Sequence, residues 1–116
     1  MKVILINSNK KEISEIDIDI KGNFENAYKL ISCDMIEQIS FVFKNRDSLL
    51  IDEEGRLKDK GFLQNEGFEI ETDKGTFVIY GNALLVNFGD YLDDEEYSEP
   101  KTTINTLHEK VKFKCF

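Results

Sequence analysis

The sequence predicts an α+β fold, a mostly antiparallel sheet of about six or seven strands with two helices packed on one face. Three observations lead there. Short apolar segments alternate or run together between turn residues, two segments repeat apolar residues at helical spacing, and most connections between the strand-like segments are short.

Val3-Ile4-Leu5-Ile6 is a continuous apolar run, and beyond the polar Asn7-Ser8-Asn9-Lys10-Lys11 the alternation of Ile16, Ile18 and Ile20 predicts a half-buried partner strand, hence a hairpin. Lys21-Gly22-Asn23 breaks that pattern. Phe24, Ala27, Tyr28, Leu30 and Ile31 then recur at helical spacing, with Asn23 as N-cap. Met35 to Phe43 returns to a strand with Ile39, Phe41 and Phe43 on one face, and Ser48–Ile51 follows a Lys44-Asn45-Arg46-Asp47 turn as its hairpin partner. Asp52-Glu53-Glu54-Gly55 reads as a turn whose acids face water, and Leu57 and Phe62 return to the core.

Gly67-Phe68-Glu69-Ile70-Glu71 alternates and Asp73-Lys74-Gly75 turns. Thr76–Tyr80 and Ala83–Val86, joined by Gly81-Asn82, are the apolar runs expected at the centre of the sheet. A C-terminal helix over about 102–112 starts at Thr102 or Thr103 and carries Ile104, Leu107 and Val111 on one side. The alternating tail Lys112-Phe113-Lys114-Cys115-Phe116 suits a short edge strand or a docked terminus.

A chain of 116 residues makes a single domain, 1–116, and a domain of this size buries roughly two-thirds of the surface its unfolded chain exposes. The 41% hydrophobic content supplies a core, and 33% charged residues argue for solubility. No apolar run approaches the ~20 residues needed to cross a bilayer. The net charge of −8 gives a field that repels phosphate backbones, so direct binding to nucleic acid is not expected. Much of the acid lies in a loop at 90–100, where Asp93, Asp94, Glu95 and Glu96 are consecutive and Pro100 closes the segment.

Catalytic residues are not expected. His108 is the one histidine and stands far along the chain from Cys33, and Cys33, His108 and Cys115 lack the spacing of a metal site. Asp52, Glu53 and Glu54 lack the alternation and closing glutamate of a calcium loop. Neither glycine-rich phosphate-loop pattern occurs. Neither a metal nor a cofactor is expected, and the protein reads as a non-enzyme. Local positive charge occurs at Arg56, Lys58 and Lys60 and again at Lys110, Lys112 and Lys114, where a spacing of two along extended chain sets the cations on one side.

Ala27-Tyr28-Lys29-Leu30-Ile31-Ser32-Cys33-Asp34, Asp52-Glu53-Glu54-Gly55-Arg56-Leu57-Lys58, Gly81-Asn82-Ala83-Leu84-Leu85-Val86 and the closing Leu107, Val111 and Phe113 occur in an order and spacing that resemble a family of small phage, plasmid and bacterial proteins catalogued as domain of unknown function 3846. Ser32 and Asn87 stand where that family's pattern leads one to expect glycine, and the acidic insert after Gly89 is particular to this chain. The resemblance implies an accessory protein of a mobile element at the phage–host interface, and the two cysteines, Cys33 and Cys115, far apart in the chain, suit a reduced, cytoplasmic setting in a bacterial host cell. It implies no known activity.

Two classes of function follow. In the first, the protein binds and sequesters a small nucleotide-type host signal as a counter-defence, with Arg56, Lys58, Lys60 and Lys112 for phosphate and Tyr28, Tyr80 and Phe113 for base stacking, in a pocket completed by a possible homo-oligomer. In the alternative, Asp93, Asp94, Glu95 and Glu96 mimic nucleic acid and block a basic surface of a host protein. Replacing those four acids with serine abolishes function in a phage-defence assay under the second reading and leaves it intact under the first.

Overall fold

In the computed structural model the described residues are 2–18, 25–31, 35–53, 66–88 and 97–115. They form β1 (Lys2–Asn7), β2 (Glu12–Asp17), α1 (Glu25–Ile31), β3 (Ile36–Ile39), β4 (Asp47–Asp52), β5 (Glu66–Thr72), β6 (Gly75–Tyr80), β7 (Ala83–Phe88), β8 (Tyr97–Ser98), α2 (Ile104–Lys110) and β9 (Val111–Cys115). The α+β class and antiparallel pairing agree with the sequence. The single sheet of six or seven strands does not: the nine strands divide between two antiparallel sheets. The large sheet runs β2-β1-β7-β4-β3, with β8 also paired to β7, and the small sheet runs β6-β5-β9.

Continuous apolar runs explain the division. Val3–Ile6, Leu49-Leu50 and Ala83–Val86 are all buried, so the middle of the large sheet is covered on both faces. On one face Val3, Leu5, Leu50, Leu84 and Val86 pack with Ala27 and Ile31 of α1. On the other, Ile4, Ile6, Leu49, Ala83 and Leu85 pack with Phe68, Ile70, Ile79 and Val111 of the small sheet and Leu107 of α2. The two helices therefore cover opposite faces of the large sheet, and the expectation that both pack on one face is corrected. Burying each of the valine, leucine, isoleucine and phenylalanine side chains here is worth about 1.5–3 kcal/mol relative to leaving it exposed.

Seven-residue helices are marginal alone, so both depend on this packing. In α1, Ala27 and Ile31 fall four apart on one buried stripe, while Glu25 and Lys29 form an exposed ion pair of 3.6 Å. Asn23 and Phe24, assigned to its start, lie outside the described residues. Thr103 caps α2 by accepting the Thr106 N–H at 3.2 Å. That helix ends at Lys110, and Val111 takes extended angles (φ −108°, ψ 132°) and begins β9.

The strand expected from Met35 to Phe43 stops at Ile39. Phe41 (φ 55°) and Arg46 (φ 75°) take left-handed backbone, the Phe41 N–H donates to Ser48 Oγ at 2.9 Å, and the Arg46 guanidinium sits 5.7 Å from the Phe41 ring centroid. The alternation of Ile39, Phe41 and Phe43 therefore runs on through a loop. β3 and β4 still pair, from Ile39 opposite Leu49 to Ile36 opposite Asp52. At the β5–β6 turn Gly75 supplies the positive φ, 115°, that closes the hairpin. β7 is central as expected, but β6 is an edge strand among the described residues.

Leu84 and Leu85 test the two-sided core because they are neighbours on opposite faces of one strand. Each mutation to alanine is expected to cost about 2–5 kcal/mol in urea unfolding. A sheet covered on one face only would leave one of the two nearly silent.

Candidate functional site

A buried carboxylate in the large sheet anchors the segment that leads, through α2, into the small sheet. Asp47 opens β4 with no exposed surface. Its Oδ1 accepts the Lys101 N–H at 2.9 Å and Asn87 Nδ2 at 2.9 Å, and its Oδ2 accepts the Thr102 N–H at 2.6 Å and the Lys101 N–H at 3.1 Å. Asn87 Nδ2 also donates to the Asn45 carbonyl at 2.8 Å, and Asn45 Nδ2 donates to Thr102 Oγ1 at 3.0 Å. This network pins residues 101–102 against β4 and β7, immediately before α2 begins. α2 then delivers β9 to the edge of β5. Asn87, a departure from the glycine expected there, is thus a buried bridge to Asp47.

A second buried knot holds the other end of β7. The Ser8 N–H donates to Asn82 Oδ1 at 2.9 Å, Ser8 Oγ donates to the Gly81 carbonyl, and Asn82 Nδ2 donates to the Leu30 carbonyl at 3.2 Å. The first hairpin's turn, the β6–β7 connection and the end of α1 are joined there.

Cross-strand pairs share a face of the sheet, so register sorts the side chains of β6, β5 and β9. Ile79, Phe68 and Phe113 form one row and Phe77, Ile70 and Val111 the next, both on the core side. The opposite, outward face carries Tyr80, Gly67 and Lys114 in one row and Val78, Glu69 and Lys112 in the next. Tyr80 and Lys114 stand two strand spacings apart, about 10 Å, with only glycine between them. Gly67 is itself buried, so a ligand here meets the flanking side chains rather than the backbone. Lys112 and Lys114 are exposed, and Lys114 Nζ lies 3.1 Å from the Glu69 carboxylate.

The structure therefore brings together Tyr80 and Lys112 and adds Lys114. Phe113 is corrected: it turns to the core and meets Phe68 edge-on, with centroids 6.3 Å apart and planes at 66°, which removes it as a stacking surface. Tyr28 is 36% exposed on α1, across the large sheet from this face, and cannot join it. Arg56, Lys58 and Lys60 lie outside the described residues, as do Asp93, Asp94, Glu95 and Glu96 and Cys33. His108 and Cys115 are exposed. Among the described residues no three His, Cys, Asp or Glu side chains are grouped to hold a metal, and no helix is long and apolar enough to cross a membrane.

Asp47 is the residue that sequence reading missed, because an Asp in a polar turn-like stretch is ordinarily solvated. Asp47→Ala leaves three buried or half-buried N–H donors without their acceptor and is expected to cost at least ~3 kcal/mol in urea unfolding. Asp47→Asn, which keeps one acceptor oxygen, costs less, about 1–3 kcal/mol. Searches against protein-family models, curated proteins and solved structures returned no match to this chain.

Proposed function

We propose that this chain is a non-enzymatic binding protein of a mobile element that sequesters a small anionic, nucleotide-type ligand on the outward face of the small sheet. The shared face of Tyr80, Lys112 and Lys114 carries the reading. An aromatic ring offers a sequence-tolerant stacking surface for a base, and Lys114, about 10 Å away across the same row, with Lys112 in the next row, offers point charges for phosphate. The span matches a nucleotide laid across three strands, base on β6 and phosphate on β9.

Charge sets the ligand's size. A protein of net charge −8 repels a long polyanion over many ångströms, whereas a small ligand samples mainly the local field of the two lysines. The Lys114–Glu69 ion pair is partly exposed and contributes little to stability, so giving it up for a phosphate costs little. The resemblance to domain of unknown function 3846 supports the setting: an accessory protein at the phage–host interface, where holding a host signal is a sufficient counter-defence.

Native mass spectrometry of the protein mixed with cyclic and ADP-ribose-derived nucleotides tests the reading. A stoichiometric adduct whose ligand is released unchanged is expected. Tyr80→Ala is expected to weaken it by about 5- to 150-fold, the equivalent of 1–3 kcal/mol for one stacked base. A ligand returned with altered mass contradicts the non-enzymatic reading, and no adduct with any nucleotide contradicts the ligand class and directs attention to host proteins and the acidic segment.

A further inference from the structure

We infer that the outer edge of β6 pairs with β6 of a second copy of this chain, about a two-fold axis at Val78, to join two small sheets into one of six strands. The longer outer strands differ in what guards them. Exposed edges invite pairing, and charged side chains are the common defence. β2 carries Glu12, Glu15 and Asp17, β9 carries Lys112 and Lys114, and β3 carries Glu37. β6, Gly75-Thr76-Phe77-Val78-Ile79-Tyr80, has no charge along its length, and its outer edge carries no partner strand among the described residues.

Two-fold symmetry turns that difference into a choice of partner. Pairing an edge with its own copy gathers charges of one sign, so β2 would bring carboxylates close to carboxylates and β9 ammoniums close to ammoniums. β6 brings none. In the antiparallel register symmetric about Val78, Val78 faces Val78 of the partner, Phe77 faces Ile79 and Thr76 faces Tyr80. Every opposed pair then shares a face, as pleating requires, and is β-branched or aromatic. Val78 is 44% exposed, one of three large hydrophobic side chains so exposed among the described residues, and the pairing covers it.

The strand is held ready for a partner. At its start the Asp73 N–H donates to the Val42 carbonyl at 2.9 Å and Lys74 Nζ donates to the Ser40 carbonyl at 2.7 Å, which anchors the β5–β6 turn to the loop after β3. A groove of about 460 Å³ lies between β6 and β3, with Ile39, Ile51, Phe77 and Ile79 on its apolar walls and Glu37 and Lys74 also lining it. The second copy also sets the partner's Thr76 hydroxyl beside Tyr80 on the outward face. The pairing stands without any ligand, so its failure and that of the binding reading are separable.

Analytical ultracentrifugation of the full chain over the micromolar range, without nucleotide, is expected to show a concentration-dependent dimer. Val78→Lys, at an exposed position, opposes two ammoniums across the axis and is expected to raise the dissociation constant by more than ~10-fold with an unchanged circular dichroism spectrum. Val78→Cys, with Cys33 and Cys115 replaced by serine, is expected to give a disulfide-linked dimer on mild oxidation, since opposed residues at the axis lie within bridging distance, whereas Glu71→Cys in the same background is not. A monomer throughout, a dimer that Val78→Lys leaves intact, or a Val78→Cys protein that does not cross-link each overturns the inference. A monomer that still binds a nucleotide overturns this pairing alone.

Discussion

One buried carboxylate holds the strap through which the chain passes from the large sheet, by way of α2, into the last strand of the small one. Asp47 is surrounded by N–H donors from β7 and from the strap before α2, and it collects them while fully removed from water. Burying a carboxylate is costly unless its oxygens are hydrogen-bonded, and here both are. The consequence reaches beyond β4. The strap at 101–102 sets where α2 starts, α2 spans one short side of the core through Leu107, and its end turns directly into β9. Without β9 the small sheet would be the hairpin β5–β6, and two-stranded hairpins are marginal in water.

The proposed site inherits its geometry from the same chain of contacts. Lys112 and Lys114 owe their shared face to the β9 register on β5, and Tyr80 owes its place to the β6 register on the other side. Phe113, alternating with the two lysines, turns inward and locks that register by meeting Phe68. A one-residue slip would expose Phe113 and bury both lysines, so the core that holds the sheet also orients the site. β6 is the uncharged outer strand of the small sheet, and self-pairing there would extend the same outward face.

The strands of β5, β6 and β7, the Thr103 cap and the alternating tail were legible in the sequence, because period-two patterning and turn chemistry are local signals. The first hairpin was too, although its second strand is Glu12–Asp17 and not the alternation from Ile16, whose last member, Ile20, lies outside the described residues. The second sheet was not. Its evidence was present in Val3–Ile6, Leu49-Leu50 and Ala83–Val86, whose unbroken apolar character reports burial on both faces, and one covered face cannot account for them. The truncation of β3 was hidden because Ile39, Phe41 and Phe43 keep a strand's spacing while Phe41 takes positive φ and Val42, between the two phenylalanines, is itself fully buried. The partners of Asp47 on the strap lie more than fifty residues away and Asn87 forty, separations no local pattern encodes. Of the candidate ligand residues, Tyr80 and Lys112 meet on one face because alternation predicts faces; Phe113 and Tyr28 part from them because sheet membership and helix side are properties of the assembled fold.

Residue-resolved hydrogen exchange of the wild type and Asp47→Ala under native conditions tests most directly the claim that this carboxylate holds the small sheet together. The account predicts that Asp47→Ala accelerates exchange in α2 and β9 far more than in β1 and β2, because the strap that leads into them is released. Uniform acceleration across both sheets, or unchanged protection of β9, would contradict it.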